Sequence, residues 1–146
     1  MPRVRVELPD DWPFITQIDI GVGLINYGGH LGNDSFFTLL HEARLRYLKN
    51  LGYTELDVEG LGIIVVDAAI EYKAECYHGE LIRVAVAPAD PHPRGCDLCY
   101  LVTKADGAVA ARAKTGLLFF DYGSRRVAAM PAGFAKKTGL AGDRTP

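Results

Sequence analysis

The nine residues Asn26-Tyr27-Gly28-Gly29-His30-Leu31-Gly32-Asn33-Asp34 bring together polarising donors, a titratable imidazole and a carboxylate. His30 carries an imidazole that exchanges protons near neutral pH. Asp34 offers a carboxylate that can act as a base, and Asn26 can donate to a carbonyl or hold a water. Where the run enters a helix, backbone amides are unpaired and aim outward from the positive end of the dipole. Such amides can stabilise an oxyanion. Each residue also has a structural reading. Asp34 can be a helix cap, His30 a satisfied histidine of a glycine-rich turn, and Asn26 a turn residue.

The flanking elements must hold this run in place. Phe14 to Ile20 (FITQIDI) reads as a first strand. Between Gly21 and Gly32 there are five glycines in twelve residues, a density that excludes a regular helix or strand and permits close backbone approach. From Asn33 onward Phe36, Leu39, Leu40, Ala43, Tyr47 and Leu51 recur at spacings of three and four, which predicts a long helix. Asn33 or Asp34 would cap it, Lys49 suits its last turn, and Gly52 is a natural stop. The period then becomes two. In Ile64 to Lys73 the even positions are apolar, and the odd ones include Asp67, Glu71 and Lys73, as in a strand with one buried face. His78-Gly79 marks a turn, and Leu81 to Ala87 is a strand. PADPHPRG, with three of the eight prolines, reads as a loop. Leu98 to Lys104, the hairpin signal Asp106-Gly107, and Val109 to Phe120 complete the pattern. One helix with a mainly antiparallel sheet is an α+β fold whose apolar stripe must pack on that sheet. Four or five strands leave a sheet face or edge needing cover, which dimerisation would supply.

The chain has 146 residues and a mass of 15.9 kDa, one domain's worth. A single domain is expected over 1–146, with its core at about 14–134 and the first nine and last six residues as loosely held ends. The net charge is −2, so no global positive field attracts nucleic acid. No apolar run reaches the roughly 18 residues that span a bilayer, and the N-terminus lacks the apolar stretch of a secretory signal. Three cysteines, an odd number, argue against a disulfide framework and make a reducing cytoplasm the expected location. Cys96 and Cys99 lie three apart on a strand and so point to opposite faces, as ordinary thiols rather than a metal or redox pair. His30, His41, His78 and His92 share no ligand spacing, and no metal is expected.

Gly29-His30-Leu31-Gly32-Asn33-Asp34-Ser35-Phe36, followed by Glu42-Ala43-Arg44, resembles the signature of the hotdog-fold acyl-CoA thioesterases, and is most similar to the 4-hydroxybenzoyl-CoA thioesterase group. Glu71-Tyr72-Lys73 before Tyr77-His78-Gly79-Glu80-Leu81, then Ala113-Lys114-Thr115-Gly116 and Arg126 with Met130-Pro131, resemble its later motifs. The likeness covers about residues 14 to 134. It implies one long central helix wrapped by a mainly antiparallel five-stranded sheet. It also implies subunits whose sheets join in a homodimer, dimers that associate into a homotetramer, and active sites at the dimer interface. The thioester carbonyl would be held by a backbone amide at the helix start, here that of Asn33. Asn26, His30 and Asp34 would supply the chemistry, with Tyr27, Gly28, Gly29, Gly32 and Phe36 around the substrate. The densest basic group, Arg112, Lys114, Arg125 and Arg126, would meet the phosphates of CoA, unless it is a merely solvated sheet face. No cofactor is implied, since CoA belongs to the substrate.

One departure matters. The family's catalytic aspartate falls on Asn26, and an amide is neither nucleophile nor general base at neutral pH. Asp34 or His30 would then activate water while Asn26 orients the carbonyl or the water. A carboxylate elsewhere (Glu42, Asp67 or Glu71) is a second solution, although Glu42 can simply pair with Arg46 four residues on, and the other two suit a solvated strand face. A third solution is a non-catalytic acyl-thioester binder on the same fold. Hydratase chemistry is disfavoured, because the chain lacks an Asp-x-Asn-Pro-x-His pattern.

Overall fold

The three-and-four spacing becomes helix α1, Ser35–Asn50, in the computed structural model, which describes residues 2–141. Its 16 residues span about 24 Å. Phe36, Leu39, Leu40, Ala43 and Tyr47 are buried as the stripe requires, joined by Leu48 and by Arg44. Gly52 ends the helix in the left-handed region at φ +90°, a conformation that suits glycine. The Lys137 ammonium donates to the Leu51 carbonyl at 2.9 Å. The other end corrects an expectation. Asp34 occupies the cap position with helical dihedrals, and no side chain caps the helix.

Among the described residues six strands form one antiparallel sheet: β1 Phe14–Asp19, β2 Gly62–Tyr72, β3 Leu81–His92, β4 Gly95–Thr103, β5 Val109–Asp121 and β6 Arg126–Ala128. Five of them lie in the order β1-β3-β4-β5-β2, and the short β6 pairs with β5. The sixth strand and a second helix, α2 Ala132–Lys137, go beyond the expected five strands and one helix. Phe134 of α2 meets Phe119 edge-on, with ring centroids 5.0 Å apart, and closes one end of the core. Ile82, Val84 and Val86 of β3, Leu98, Tyr100 and Val102 of β4, and Ala111, Ala113, Leu117 and Phe119 of β5 share that core with α1. A helix lying in a curved antiparallel sheet is the arrangement that the resemblance implied.

Arg44 fixes the helix to the floor of the sheet. It is 6% exposed, and its guanidinium lies 3.3 Å from Glu55 and 3.4 Å from the Tyr100 hydroxyl. That hydroxyl pairs with Thr115 at 2.8 Å, and His41 lies 2.6 Å from the far oxygen of Glu55. A buried charge is tolerable when its partners are supplied in this way.

Three local expectations are corrected. In β2 the even positions do not all face inward. Ile63 stands opposite Phe119 and Val65 opposite Leu117, then the register shifts between Val65 and Asp67, after which Ala68 and Ile70 face Thr115 and Ala113. A bulge at that shift switches the phase of the strand. As an edge strand, β2 also leaves Val65 and Val66 exposed. PADPHPRG is mostly strand rather than loop, since Pro88 pairs with Leu98 and the register shifts between Ala89 and His92. Bulges are where a strand tolerates proline. The N-terminal residues are not loose throughout. Val6 is buried, its N–H donates to Glu71 at 2.8 Å, and its carbonyl accepts from Arg112 at 3.0 Å. Of the last six residues, 142–146 lie outside the described ones. Among the described residues no helix is long and apolar enough to cross a membrane.

Candidate active site

The glycine-rich run folds as a tight turn pinned to the exit of β2. The Asn26 amide donates to the His30 carbonyl at 2.9 Å, and the Gly29 amide returns to the Asn26 carbonyl at 3.0 Å. Gly29 takes φ +86°, a left-handed conformation that suits glycine. The Asn26 side-chain oxygen accepts the Gly28 N–H at 2.9 Å, which makes Asn26 a turn former. Leu31 N–H donates to the Cys76 carbonyl at 2.7 Å, and this bond docks the loop on the segment after β2. At Gly32 a Cβ would stand 2.7 Å from an Asp34 carboxylate oxygen, so a larger residue would have to push that side chain aside.

The missing cap leaves donors free. Ser35 and Phe36 both donate to the Gly32 carbonyl, at 3.0 and 3.2 Å, whereas the Asn33 and Asp34 amides find no acceptor among the described residues. These amides sit at the positive end of α1. Beside them opens a cavity of about 420 Å³, lined by His30, Leu31, Asn33, Phe36, Tyr72, Lys73, Ala74 and Glu75. The Tyr72 hydroxyl donates to the Asn33 carbonyl at 2.8 Å. That carbonyl belongs to the same rigid peptide unit as the Asp34 N–H, so the bond also aims the amide. The Tyr72 ring meets Phe36 edge-on at 5.4 Å. Burial first, then the nearby Asp34 carboxylate, holds the Tyr72 phenol above its ordinary pKa.

His30 Nδ1 lies 3.1 Å from the Leu31 carbonyl. A carbonyl only accepts, so the proton is on Nδ1, and Nε2 keeps its lone pair in the neutral ring. Nε2 lies 3.7 Å from a carboxylate oxygen of Glu75.

The cavity wall therefore contains His30, Asn33 and Phe36 of the expected site. Asp34, Gly28 and Gly32 stand immediately behind it, and Asn26 and Gly29 shape the turn. Tyr27 is fully exposed and lines no wall. The four expected CoA-binding cations do not form one group. Arg112 pairs with Glu71 at 3.5 Å, and Lys114 with Asp67 at 2.7 Å and Asp97 at 3.6 Å. Arg125 ends the β5–β6 turn and Arg126 opens β6, beside the Gly62 end of β2 and away from its Tyr72 end. That separation is about 33 Å along the strand. Glu42 pairs with Arg46 at 3.0 Å, and Glu71 also contacts Lys73 at 3.2 Å. The structural readings of Glu42 and Asp67 thus hold, whereas Glu71 is not on a solvated face: the N-terminal segment covers it and Val6 donates to it.

Sequence reasoning missed Tyr72, Lys73, Ala74 and Glu75 as site residues. Tyr72 and Lys73 lay within a motif already quoted, while Glu75 carried no signal. A second cleft, of about 520 Å³, shares Tyr72 and Lys73 with the cavity and is lined besides by Arg3, Val4, Arg5, Ile70 and Glu71. Cys96 and Cys99 are buried and lie on opposite faces. Burial, ahead of the neighbouring Asp97, pushes their thiols up to about 12 and about 11.

A family model described as the thioesterase-like superfamily matches residues 20–138. No curated protein is a significant sequence match. Among solved structures, the chain is similar to a 1,4-dihydroxy-2-naphthoyl-CoA thioesterase from Synechocystis, with a TM-score of 0.78, 18% identity, and coverage of 86% of this chain and 95% of that one. It is similar to a hypothetical protein from Staphylococcus aureus in complex with CoA, with a TM-score of 0.80, 16% identity, and coverage of 97% and 90%. A DHNA-CoA thioesterase from Staphylococcus aureus gives a TM-score of 0.74, 19% identity, and coverage of 90% and 95%. At these identities the likeness establishes a shared fold.

Proposed function

We propose that this chain, which belongs to the thioesterase-like superfamily and has its hotdog fold, hydrolyses an acyl-CoA to the free acid and CoA. The observation that carries this reading is the unpaired Asn33 amide in the wall of a cavity that also presents His30, with the unpaired Asp34 amide next to it in the chain. The thioester carbonyl oxygen accepts from these amides, whose alignment costs nothing at the moment of reaction. One such donor is worth about 10²- to 10³-fold in kcat. His30, through Nε2, takes a proton from the attacking water. Asp34 adds negative charge near Tyr72, and Asn26 holds the turn that aims His30. The reaction uses no cofactor, because CoA is part of the substrate.

The cavity volume of about 420 Å³ falls in the usual range for small-molecule sites. Its Phe36–Tyr72 wall favours an aromatic acyl group, in keeping with the naphthoyl-CoA activity of one structural neighbour. The phosphates of CoA need unpaired cations. Arg125 and Arg126 meet that need if a partner subunit brings its far sheet end to this site, and Arg3 and Arg5 line the cleft next to the cavity. Arg112 and Lys114 would contribute only by exchanging their carboxylate partners for phosphate. The β2 edge, with Val65 and Val66 exposed, is where a second copy would extend the sheet into a homodimer, and further association would give a homotetramer. A cytoplasmic location accords with the three unpaired cysteines.

The test is thiol release from short, long and aromatic acyl-CoAs. Turnover on the aromatic class supports the reading. Tight binding of acyl-CoA with no release from any class would favour the second reading, a binding module, which the amide of Asn26 motivates. Sedimentation would show whether the chain pairs.

A further inference from the structure

We infer that Glu75 is the carboxylate that supports His30, taking the place left by the amide at position 26; this rests on the thioesterase reading above. Glu75 lines the cavity together with His30 and Asn33. Its Oε1 lies 3.7 Å from His30 Nε2, too long for a direct hydrogen bond and short enough for an ion pair once Nε2 is protonated. Both the side chain and the backbone of Glu75 are held. Its other oxygen accepts the Tyr77 hydroxyl at 2.7 Å, and the Glu75 carbonyl accepts from Lys104 at 2.7 Å.

The other carboxylates in reach are committed. Asp67 pairs with Lys114, and Glu71 with Lys73, Arg112 and the Val6 amide. Glu80 pairs with Lys104 and accepts from the Tyr77 amide. Asp34 stands behind Gly32 and does not line the cavity. Of the charged groups around His30, then, Glu75 faces Nε2, Asp34 lies behind the loop, and Lys73 shares the cavity with its charge balanced by Glu71.

The water oxygen forms a bond to the thioester carbonyl carbon while its proton passes to His30 Nε2. The carbonyl oxygen becomes negative and is held by the Asn33 and Asp34 amides. The imidazolium now carries protons on both nitrogens, with Leu31 facing one and Glu75 the other. The carbonyl re-forms, the C–S bond breaks, and the thiolate takes the proton from Nε2, leaving acid and thiol. Glu75 never holds the proton. It acts through His30 and is therefore a positioning residue.

The experiment compares the wild-type chain with Glu75→Gln and Glu75→Asp on the best acyl-CoA. Because Glu75 is on the surface, both variants are expected to melt like wild type, which the melting curve checks. Glu75→Gln removes the charge that faces the imidazolium, a pair partly open to solvent. It should lower kcat severalfold with KM little changed, and Glu75→Asp should recover part of the loss. An active wild type whose kcat is unmoved in Glu75→Gln would overturn this role and leave the thioesterase reading standing. A wild type that releases thiol from no acyl-CoA would overturn both.

Discussion

Tyr72→Phe removes one oxygen and keeps the ring that packs on Phe36. The hydroxyl donates to the Asn33 carbonyl at 2.8 Å, and among the described residues no other hydrogen bond fixes that peptide from the side of the cavity. A neutral hydrogen bond contributes about 0.5–1.5 kcal/mol net. If the bond serves to aim the Asp34 N–H, its loss appears in the transition state more than in substrate binding. The corresponding drop in kcat is about 2- to 12-fold, with KM almost constant and stability lowered by no more than the same energy. Steady-state kinetics on one acyl-CoA, with a denaturant curve, reads both quantities. An unchanged kcat would refute the idea that this bond positions the donor. A loss beyond about 100-fold would refute it in the other direction, since it would mean the hydroxyl touches the reacting atoms.

The other expectations concern binding, acid and packing. Replacing Arg3 and Arg5 together by Glu should raise KM for acyl-CoA without changing kcat, and the effect should shrink at high salt; a KM equal to wild type at low salt would remove that cleft from CoA binding. Glu71 is held below the usual carboxylate range first by the Val6 amide and then by Lys73 and Arg112. A depressed pKa stabilises above the unfolded value of about 4.3 and ceases to as pH falls through the folded value. Acid should therefore release residues 2–9 from the sheet, seen as faster amide exchange there; protection that persists below pH 3 would contradict this. Leu40, fully buried under the sheet, should cost about 2–5 kcal/mol on replacement by Ala, measured by urea unfolding.

The fold was legible wherever periodicity alone decides structure. The stripe from Phe36 to Tyr47 is the buried face of α1, and the strands from Leu81, Leu98 and Val109 lie where alternation put them. It was less legible where one residue breaks the period. The shift after Val65 moves the inward phase of β2 from odd to even positions, and no side chain near it announces a bulge. Pro88 reads as a strand breaker when its partner Leu98 is unknown. The candidate site divides in the same way. The loop from Asn26 to Asp34 is local and announces itself by glycine density. Glu75 is brought to His30 only by the pairing of Leu31 with Cys76, a contact between segments 45 residues apart in sequence, which composition cannot encode. The uncapped start of α1 could not be foreseen either, since Asp34 is a favoured capping residue whose side chain here turns elsewhere.

Burial of the three cysteines has a practical reach. Cys76, Cys96 and Cys99 are shielded, and all three thiols are pushed up, so in the native chain the reactive thiolate form is scarce. A chromogenic thiol reagent added to folded protein should stay almost colourless until CoA is liberated. The same reagent in denaturant should count three equivalents per chain. The protein thus carries an intrinsic label for its own unfolding, and the slow colour that develops without substrate becomes a direct readout of how often the core opens.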